Sequence, residues 1–285
     1  MRQRRHRSGW TPLVYLVLLG YTVVVVGPMV WLLYSSLKSD QEIFLHPFSL
    51  PGIHGLHFDN FSHAWGEGFF GNYCWNSVLL TLSTVILTLL LSAMAAYSLA
   101  RFTFRGARPL FFYFLAGLMV PLQLAIVPLF FQMKSMDMLN SRFGLLTVYV
   151  AFGMPFSIFV MTGFFKSLPS SLHESALLDG ASEFRAFLSV MLPLARPGLI
   201  TVGIFTFLGT WNEFFMAFMF LSGKNSEELR TLPLGLANIT IVSQYHSDWG
   251  MAFAGLVWVM LPTLFAYAFL QKHLSKGITM GALKG

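Results

Sequence analysis

The sequence is poor in charge and almost free of cysteine. Only 11% of its 285 residues are charged, 55% are hydrophobic, and the mean hydropathy is +0.65. Soluble domains carry about 25% charged residues, so this composition excludes an ordinary soluble globule and also a disordered chain. The one cysteine, Cys74, excludes an intrachain disulfide and any cysteine-based zinc or iron–sulfur site.

The sequence has six long stretches with almost no charge. A helix crosses the bilayer core with about 20 residues, and every stretch is long enough. Five carry no charge, and the sixth has Glu213 as its only charged residue. Because their apolar residues do not alternate with polar ones, helices are favoured over barrel strands. The predicted spans are 12–35, 76–100, 109–131, 144–165, 198–221 and 250–271. We therefore predict an all-α, six-helix polytopic bundle, with residues 1–285 as a single transmembrane domain.

Positive residues predict the orientation of these spans. The basic N-terminus resembles a signal peptide, but the apolar run is too long and no small-residue cleavage site follows, so we expect an uncleaved anchor. With six spans, thirteen of the 18 lysines and arginines fall on the same side of the membrane as the N-terminus: Arg2, Arg4, Arg5, Arg7, Arg101, Arg105, Arg108, Lys166, Arg185, Arg196, Lys272, Lys276 and Lys284. The other five are Lys38, Lys134, Arg142, Lys224 and Arg230. By the positive-inside rule, both termini are predicted to be cytoplasmic.

The segment 166–197 is long for a link between two spans, and it has a helical pattern. Ser171 and Glu174 have the spacing of a capping box, which predicts the start of a helix. Asp179 and Gly180 predict its end, because glycine readily adopts a left-handed cap.

A second short helix is predicted directly after this turn. Ser182 can cap a helix over 183–191, and Pro193 and Pro197 would end it before the fifth span. Two interpretations remain open from the pattern alone. The segment is either an amphipathic elbow on the lipid headgroups or a helical knob that docks into a groove on another protein.

The residues of this segment resemble the EAA loop of ABC importer permeases. The family pattern is E-A-A-x-x-x-D-G-A, followed by an aromatic residue, then L-P, then P. Ser175 replaces the middle alanine and is also small. The matching positions are Glu174, Ala176, Asp179, Gly180, Ala181, Phe187, Leu192, Pro193 and Pro197.

A second resemblance lies at the C-terminus. Residues 276–285 are similar to the tail of the carbohydrate branch of the same family, K-G-x-T-x-G-A-x-K-G. Trp211-Asn212-Glu213 and the run 231–235 resemble the maltose-type second permease subunit of that branch. The resemblance covers essentially the whole chain.

The resemblance implies a type I ABC importer permease. Such a subunit translocates a carbohydrate, here an oligosaccharide, across the cytoplasmic membrane of a bacterium or archaeon by alternating access. The implied partners are a second, different permease subunit, two ABC ATPase subunits and an extracytoplasmic solute-binding protein. Glu174 would cap its helix, Gly180 would permit the turn, and the loop would dock on an ATPase. The implied coupling residues are Glu174, Ser175, Ala176, Leu177, Leu178, Asp179, Gly180, Ala181, Phe187 and Pro193.

The sequence also predicts what this chain does not do by itself. It contains no G-x-x-x-x-G-K-[ST] phosphate loop, so ATP and Mg²⁺ would be used by the partner ATPase, and the chain would bind no cofactor. No span carries a catalytic set of side chains, so we expect a transport subunit rather than an enzyme. His54 and His57 have a short spacing, but no further ligand completes a metal site.

Glu213 is the sole ionisable residue inside a predicted span. Such residues are costly in hydrocarbon and commonly functional, so Trp211, Asn212 and Glu213 are candidates for the translocation path. The competing interpretation is an interhelical hydrogen bond or an interfacial side chain that reaches water. Two alternative functions also stay open: an ABC permease for another small solute, such as a glycerol phosphodiester, and an ion-driven secondary transporter. The latter is disfavoured because one intramembrane acid without an inverted repeat is a poor match.

Overall fold

The computed structural model describes residues 11–52, 55–223, 226–246 and 248–282, and every regular element within these ranges is helical. A π turn at Phe187–Met191 joins α9 to α10, and a 3₁₀ turn lies at Glu227–Leu229. The helices are α1 (Thr11–Ser35), α2 (Asp40–Leu45), α3 (Asp59–Trp65), α4 (Phe70–Arg101), α5 (Ala107–Gly117), α6 (Leu122–Ser135), α7 (Arg142–Ser167), α8 (Ser170–Leu178), α9 (Glu183–Ala186), α10 (Leu192–Leu194), α11 (Arg196–Trp211), α12 (Phe215–Phe220), α13 (Leu232–His246) and α14 (Trp249–Ala282).

Four helices, α1, α4, α7 and α14, are long and apolar enough to cross a membrane. Two further candidates are bent pairs, α5 with α6 and Glu183–Leu194 with α11. The predicted all-helical architecture is therefore confirmed for the described residues. By length and composition they contain four candidate spans, or six when each bent pair is counted as one span.

The third predicted span, 109–131, is not a continuous helix. It is divided into α5 and α6, whose axes differ by 100°. The break falls before Pro121, which takes the N-cap position of α6 with φ −63° and ψ 134°. Proline disfavours the helical conformation of the residue before it, so the helix stops at the preceding turn and a new one starts.

The fifth predicted span, 198–221, is also wrong as a single helix. α11 ends at Trp211, and the chain resumes helical structure only at Phe215. Two further predicted spans differ from the observed helices at one end only. The helix that contains the second predicted span, α4, begins at Phe70 rather than at residue 76. The helix that contains the sixth, α14, continues beyond residue 271 to Ala282.

The chain divides into two compact units, the first formed by residues 1–70 with 236–260. In this unit, Asp40 accepts hydrogen bonds from the backbone N–H groups of Trp249 and Gly250, both at 2.9 Å. These donors lie at the start of α14, so the carboxylate caps that helix and its charge favourably meets the positive end of the helix dipole.

Lys38, in the link between α1 and α2, is completely buried in the first unit. Its ammonium donates to the carbonyls of His46 and Pro47 at 2.9 and 3.1 Å and lies 4.9 Å from the Tyr34 ring centroid. Burial lowers the pKa of Lys38, and the nearby carboxylate of Glu42 opposes this effect. The ammonium is held by carbonyl and ring contacts where water is excluded.

The second unit, residues 71–235 with 261–285, is held by packing on α7. Helices α5, α11 and α12 all contact α7, and its buried residues form parts of two apolar clusters. A polar tie stabilises the stretch before α13. Asn76 donates to the carbonyls of Glu228 and Arg230, while Arg142 donates to Asn76.

Candidate functional site

The segment 170–194, here called the knob, contains α8, α9, the π turn and α10. Its first helix begins at Ser170, after Pro169, and no side chain caps it. Ser171 is therefore already helical, so its hydroxyl is not at the N-cap and the predicted capping box with Glu174 is wrong. The Glu174 side chain is exposed and has no hydrogen-bond or ion-pair partner in the described part of the chain.

The predicted left-handed turn at Gly180 is confirmed. Gly180 has φ +81°. Its N–H donates to the carbonyl of Leu177, and the N–H of Ala181 donates to the carbonyl of Ala176, both at 3.0 Å. These two bonds form a Schellman motif. A Cβ added at Gly180 would meet nothing within 4 Å, so glycine is favoured here by backbone conformation alone.

Ser182 caps the second helix of the knob, as predicted. Its hydroxyl accepts from the N–H of Arg185 at 3.3 Å. The helix does not end at residue 191, however, but continues to Leu194. In the π turn the N–H of Leu192 donates to the carbonyl of Phe187, five residues back. This wider turn precedes Pro193 and accommodates a residue that lacks an N–H and would crowd the preceding α-helical turn.

The inner face of the knob packs on α4 and α7. Phe187 and Met191 are buried in one apolar cluster with Tyr97 of α4 and Phe165 of α7. The Tyr97 ring is only 4% exposed, and its centroid lies 4.9 Å from that of Phe187 and 5.5 Å from that of Phe165. Tyr97 is thus shared by the knob and two long apolar helices.

Two polar contacts add to this anchoring. Arg101, at the end of α4, donates to the carbonyls of Phe165 and Leu168 at 2.9 and 2.8 Å. These carbonyls lie at the end of α7, where a positive charge is favoured. Within the knob, His173 and Glu183 contact each other at 2.8 Å, which links α8 to α9.

The outer face of the knob exposes apolar side chains. Leu178 is 88% exposed and Phe184 is 61% exposed. Ala176 is only 8% exposed, so it offers little surface to a partner, and its implied coupling role stays a prediction. The remaining predicted coupling residues also differ in their exposure to solvent. Ser175, Asp179 and Pro193 are exposed, Leu177 and Ala181 are half-buried, and Phe187 is buried.

The break between α11 and α12 is organised by Glu213. Its carboxylate accepts from the N–H groups of Met216 and Ala217 at 2.7 and 3.1 Å, which caps the start of α12. The same carboxylate accepts from the Tyr149 hydroxyl of α7 at 2.8 Å. Glu213 therefore makes the interhelical hydrogen bond that the sequence left open, and it starts the new helix.

Glu213 also lines a cavity of about 310 Å³ between α7 and α11. The walls include Phe152 and Phe156 of α7 and Phe205 of α11. Because the cavity is apolar with a few convergent polar groups, it has the character of a small-molecule site.

The other two residues of the predicted path lie differently. Trp211 is buried and its ring is stacked on Phe207, with centroids 6.0 Å apart. Asn212 is exposed, donates to the carbonyl of Leu208 at 2.9 Å, and accepts from the Thr263 hydroxyl at 3.4 Å. Neither residue lines the cavity.

Three residues of this site are not among the site residues predicted from sequence: Tyr149, Tyr97 and Arg101. Tyr149 lies 64 positions from Glu213, and no local pattern links residues at that separation. For Arg101 a signal exists, because a basic residue at the end of a span can snorkel or cap a neighbouring helix.

In the ranges that the structure describes, no group of three or more His, Cys, Asp and Glu side chains could hold a metal ion; His54 lies outside these ranges.

Comparison with known proteins places this geometry in context. Residues 88–280 match the family described as binding-protein-dependent transport system inner membrane component. A diacetylchitobiose uptake system permease protein of Streptomyces coelicolor is 42% identical over 268 residues, which are 94% of this chain and 87% of that protein. A trehalose transport system permease protein of Mycobacterium tuberculosis is 31% identical over 284 residues, 99% of both chains.

An arabinooligosaccharides transport system permease protein of Bacillus subtilis is 31% identical over 268 residues, covering 93% of this chain and 92% of that one. Among solved structures, a chain from the crystal structure of a bacterial ABC transporter involved in the import of the acidic polysaccharide alginate has a TM-score of 0.79. It is 23% identical, and the match covers 95% of this chain and 98% of that chain. This likeness concerns the fold.

Proposed function

The chain belongs to the family of binding-protein-dependent transport system inner membrane components, and we propose that it is one membrane-spanning subunit of an ATP-driven importer for a sugar. The relatives named above carry short saccharides, which supports an oligosaccharide as the cargo. Members of this family are transport permeases rather than catalytic enzymes. With no phosphate loop in the sequence, the ATP and Mg²⁺ would be used by a partner.

The observation that carries this proposal is the knob. Leu178 and Phe184 are exposed at a position where the chain has just left a long apolar helix. Burying a leucine or phenylalanine side chain contributes about 1.5–3 kcal/mol, so a groove on a partner gains from covering them. We infer that an ABC ATPase subunit supplies this groove.

The anchoring of the knob supports a coupling role. A displacement of the knob by a closing ATPase would act on α4 through Tyr97 and on α7 through Phe165, because all of these side chains lie in one buried cluster. Arg101 would keep the ends of α4 and α7 together during that movement. In this account, the transition between inward-open and outward-open states is driven through these contacts.

The remaining parts of the proposal concern location and assembly. We infer a multi-pass protein of the cytoplasmic membrane with both termini inside, because the positive residues are concentrated on that side. A second permease subunit, different from this chain, two ATPase subunits and an extracytoplasmic solute-binding protein would complete the importer.

Gentle purification from native membranes, followed by mass spectrometry of the proteins that co-elute, tests this proposal. We expect an ABC ATPase and a second permease, and loss of uptake of one sugar when the gene is deleted. A chain that elutes without any ATPase, even after crosslinking through the knob, contradicts the proposal. Uptake that follows an ion gradient and is lost in Glu213→Gln would then favour a secondary transporter.

A further inference from the structure

Three exposed basic side chains lie where α5 begins and α7 ends. Arg105 precedes α5, Arg108 is in its first turn, and Lys166 is in the last turn of α7. Across the part of the chain that the structure describes, none of the three has a hydrogen-bond or ion-pair partner. The sequence also has no aspartate or glutamate between Glu67 and Asp137. The positive charge at the start of α5 is therefore not neutralised within its own segment.

Two of these cations rest on neighbouring aromatic rings. The Lys166 ammonium lies 5.4 Å from the Phe111 ring centroid, and the Arg108 guanidinium carbon lies 5.8 Å from that of Phe112. The two ring centroids are 6.1 Å apart. A cation–π contact restricts a basic side chain without cancelling its charge. The rings of α5 thus gather one cation from each of two helices at the same place.

Neither cation is needed to complete a helix end. Lys166 is at the negative end of the α7 dipole, but Arg101 already donates to the carbonyls of Phe165 and Leu168 there. Arg108 is at the positive end of the α5 dipole, where a cation is disfavoured. The first turn of α5 contains no acidic residue, and no side chain caps it. This arrangement of charges is unfavourable by itself and becomes favourable around a bound anion.

An apolar face continues directly from these charges. Leu110, Phe112 and Tyr113 are exposed on α5, and no residue of α5 is buried. Helices α5 and α6 together form one candidate span, and the matching family is one of inner membrane components, so this face contacts lipid chains. A free phosphate ion or an acidic protein surface would use the cations and leave the apolar face uncovered. A phospholipid with a negative headgroup uses both.

We propose that the start of α5 and the end of α7 form a binding site for the headgroup of an anionic phospholipid, in the leaflet on the side of the knob. Its phosphodiester contacts Arg108 and Lys166, Arg105 adds to the attraction, and an acyl chain lies along the exposed face of α5. The lipid thereby ties α5, which buries none of its own residues, to α7. This inference requires a membrane protein, and it depends neither on the cargo nor on an ATPase.

Photolabelling in vesicles tests this site. The purified complex is placed in phosphatidylcholine vesicles that contain a small fraction of phosphatidylglycerol with a photoreactive acyl chain, and labelling of the segment 107–117 is quantified by mass spectrometry. Photoreactive phosphatidylcholine is the comparison lipid. We expect phosphatidylglycerol to label the segment severalfold more strongly, and a rise in ionic strength to reduce the difference, because salt screens exposed charges.

Neutral variants show whether the three cations select the lipid. One basic residue near the membrane surface changes the affinity for an anionic lipid about fivefold. Arg105→Gln, Arg108→Gln and Lys166→Gln should therefore each weaken labelling by phosphatidylglycerol by up to about fivefold, and the triple variant should reduce it to the level of phosphatidylcholine. Lys134→Gln, which removes an exposed lysine in the last turn of α6, is the matched control and should leave labelling unchanged.

Four results would overturn the inference. The first is equal labelling by the two lipids, and the second is unchanged labelling of a correctly folded triple variant. The third is loss of labelling when soluble glycerol phosphate is added, which would assign the cations to a free phosphate compound. The fourth is labelling of the chain alone but not of the complex with its ATPase, which would assign them to a protein surface. Each of these results leaves the proposed importer function intact.

Discussion

Substitution of Gly180 gives a graded test of the knob, because the residue is constrained by conformation and not by space. Its φ is +81°, and an added Cβ has no neighbour within 4 Å. An L-residue in the left-handed region costs about 1–2 kcal/mol, whereas asparagine is tolerated there more readily. The order of function should therefore be Gly, then Asn, then Ala, with Val last because its side chain is β-branched.

The magnitude follows from the two hydrogen bonds that close the turn, from Gly180 to Leu177 and from Ala181 to Ala176. A cost of about 1.4 kcal/mol lowers the population of the docking-competent turn by up to about tenfold. The buried cluster around Tyr97 is untouched, so the protein should still insert at normal abundance. Initial uptake, divided by the amount of protein in the membrane, should fall by up to about tenfold in Gly180→Ala and further in Gly180→Val. Wild-type uptake by Gly180→Val at wild-type abundance would refute the reasoning, and so would an asparagine variant no better than valine.

Three further outcomes follow from single contacts in the two units. Asp40→Ala should lower the unfolding free energy by about 1 kcal/mol, because it removes the acceptor of the Trp249 and Gly250 N–H groups at the start of α14 and leaves only Asp248, which accepts from the Met251 N–H; thermal unfolding in detergent measures this, with the exposed Glu67→Ala as the control. Tyr97→Phe should keep stability and uptake, since the Tyr97 hydroxyl is buried without a partner in the described structure, whereas Tyr97→Ala should cost about 3–5 kcal/mol; equal loss in both variants would contradict the packing role. Burial lowers the pKa of Lys38, so the folded protein binds fewer protons than the unfolded chain between the lowered and the ordinary lysine pKa. Its contribution to stability therefore rises with pH across that window, and the melting temperature of the wild type should rise with pH relative to that of Lys38→Met. A melting-temperature difference between the wild type and Lys38→Met that falls with increasing pH would contradict this prediction.

The features that sequence predicts well are those determined by one or two neighbouring residues. Gly180 and Ser182 are examples, because a left-handed cap needs glycine and an N-cap needs a short hydroxyl side chain. The capping box at Ser171 failed for an equally local reason. The helix starts two residues earlier, with Pro169 rather than Ser171 at the N-cap, so the spacing was right but the register was not.

The two spans that were wrongly predicted as continuous helices, and the contacts beside them, differ in how far the sequence could show them. The division of 109–131 is readable in hindsight from Pro121. The break after α11 is followed at once by Glu213, which accepts from the N–H groups three and four residues later in α12, and this too is a local signal. Its bond to Tyr149 and the cavity beside it arise from packing between helices, and no single sequence shows that. The same holds for Ala176, whose burial is decided by the contacts of the folded knob.

Reversible crosslinking at the knob tests the central claim most directly. In a Cys74→Ser background, Leu178→Cys is joined by a disulfide to a cysteine introduced in the co-purified ATPase, and ATP-dependent sugar uptake is measured in proteoliposomes before and after reduction. We expect the crosslink to form, uptake to stop, and reduction to restore it, while Leu124→Cys forms no crosslink and transports normally. Uptake that continues at full rate with residue 178 crosslinked, or no crosslink from residue 178 in an active complex, would contradict coupling through the knob.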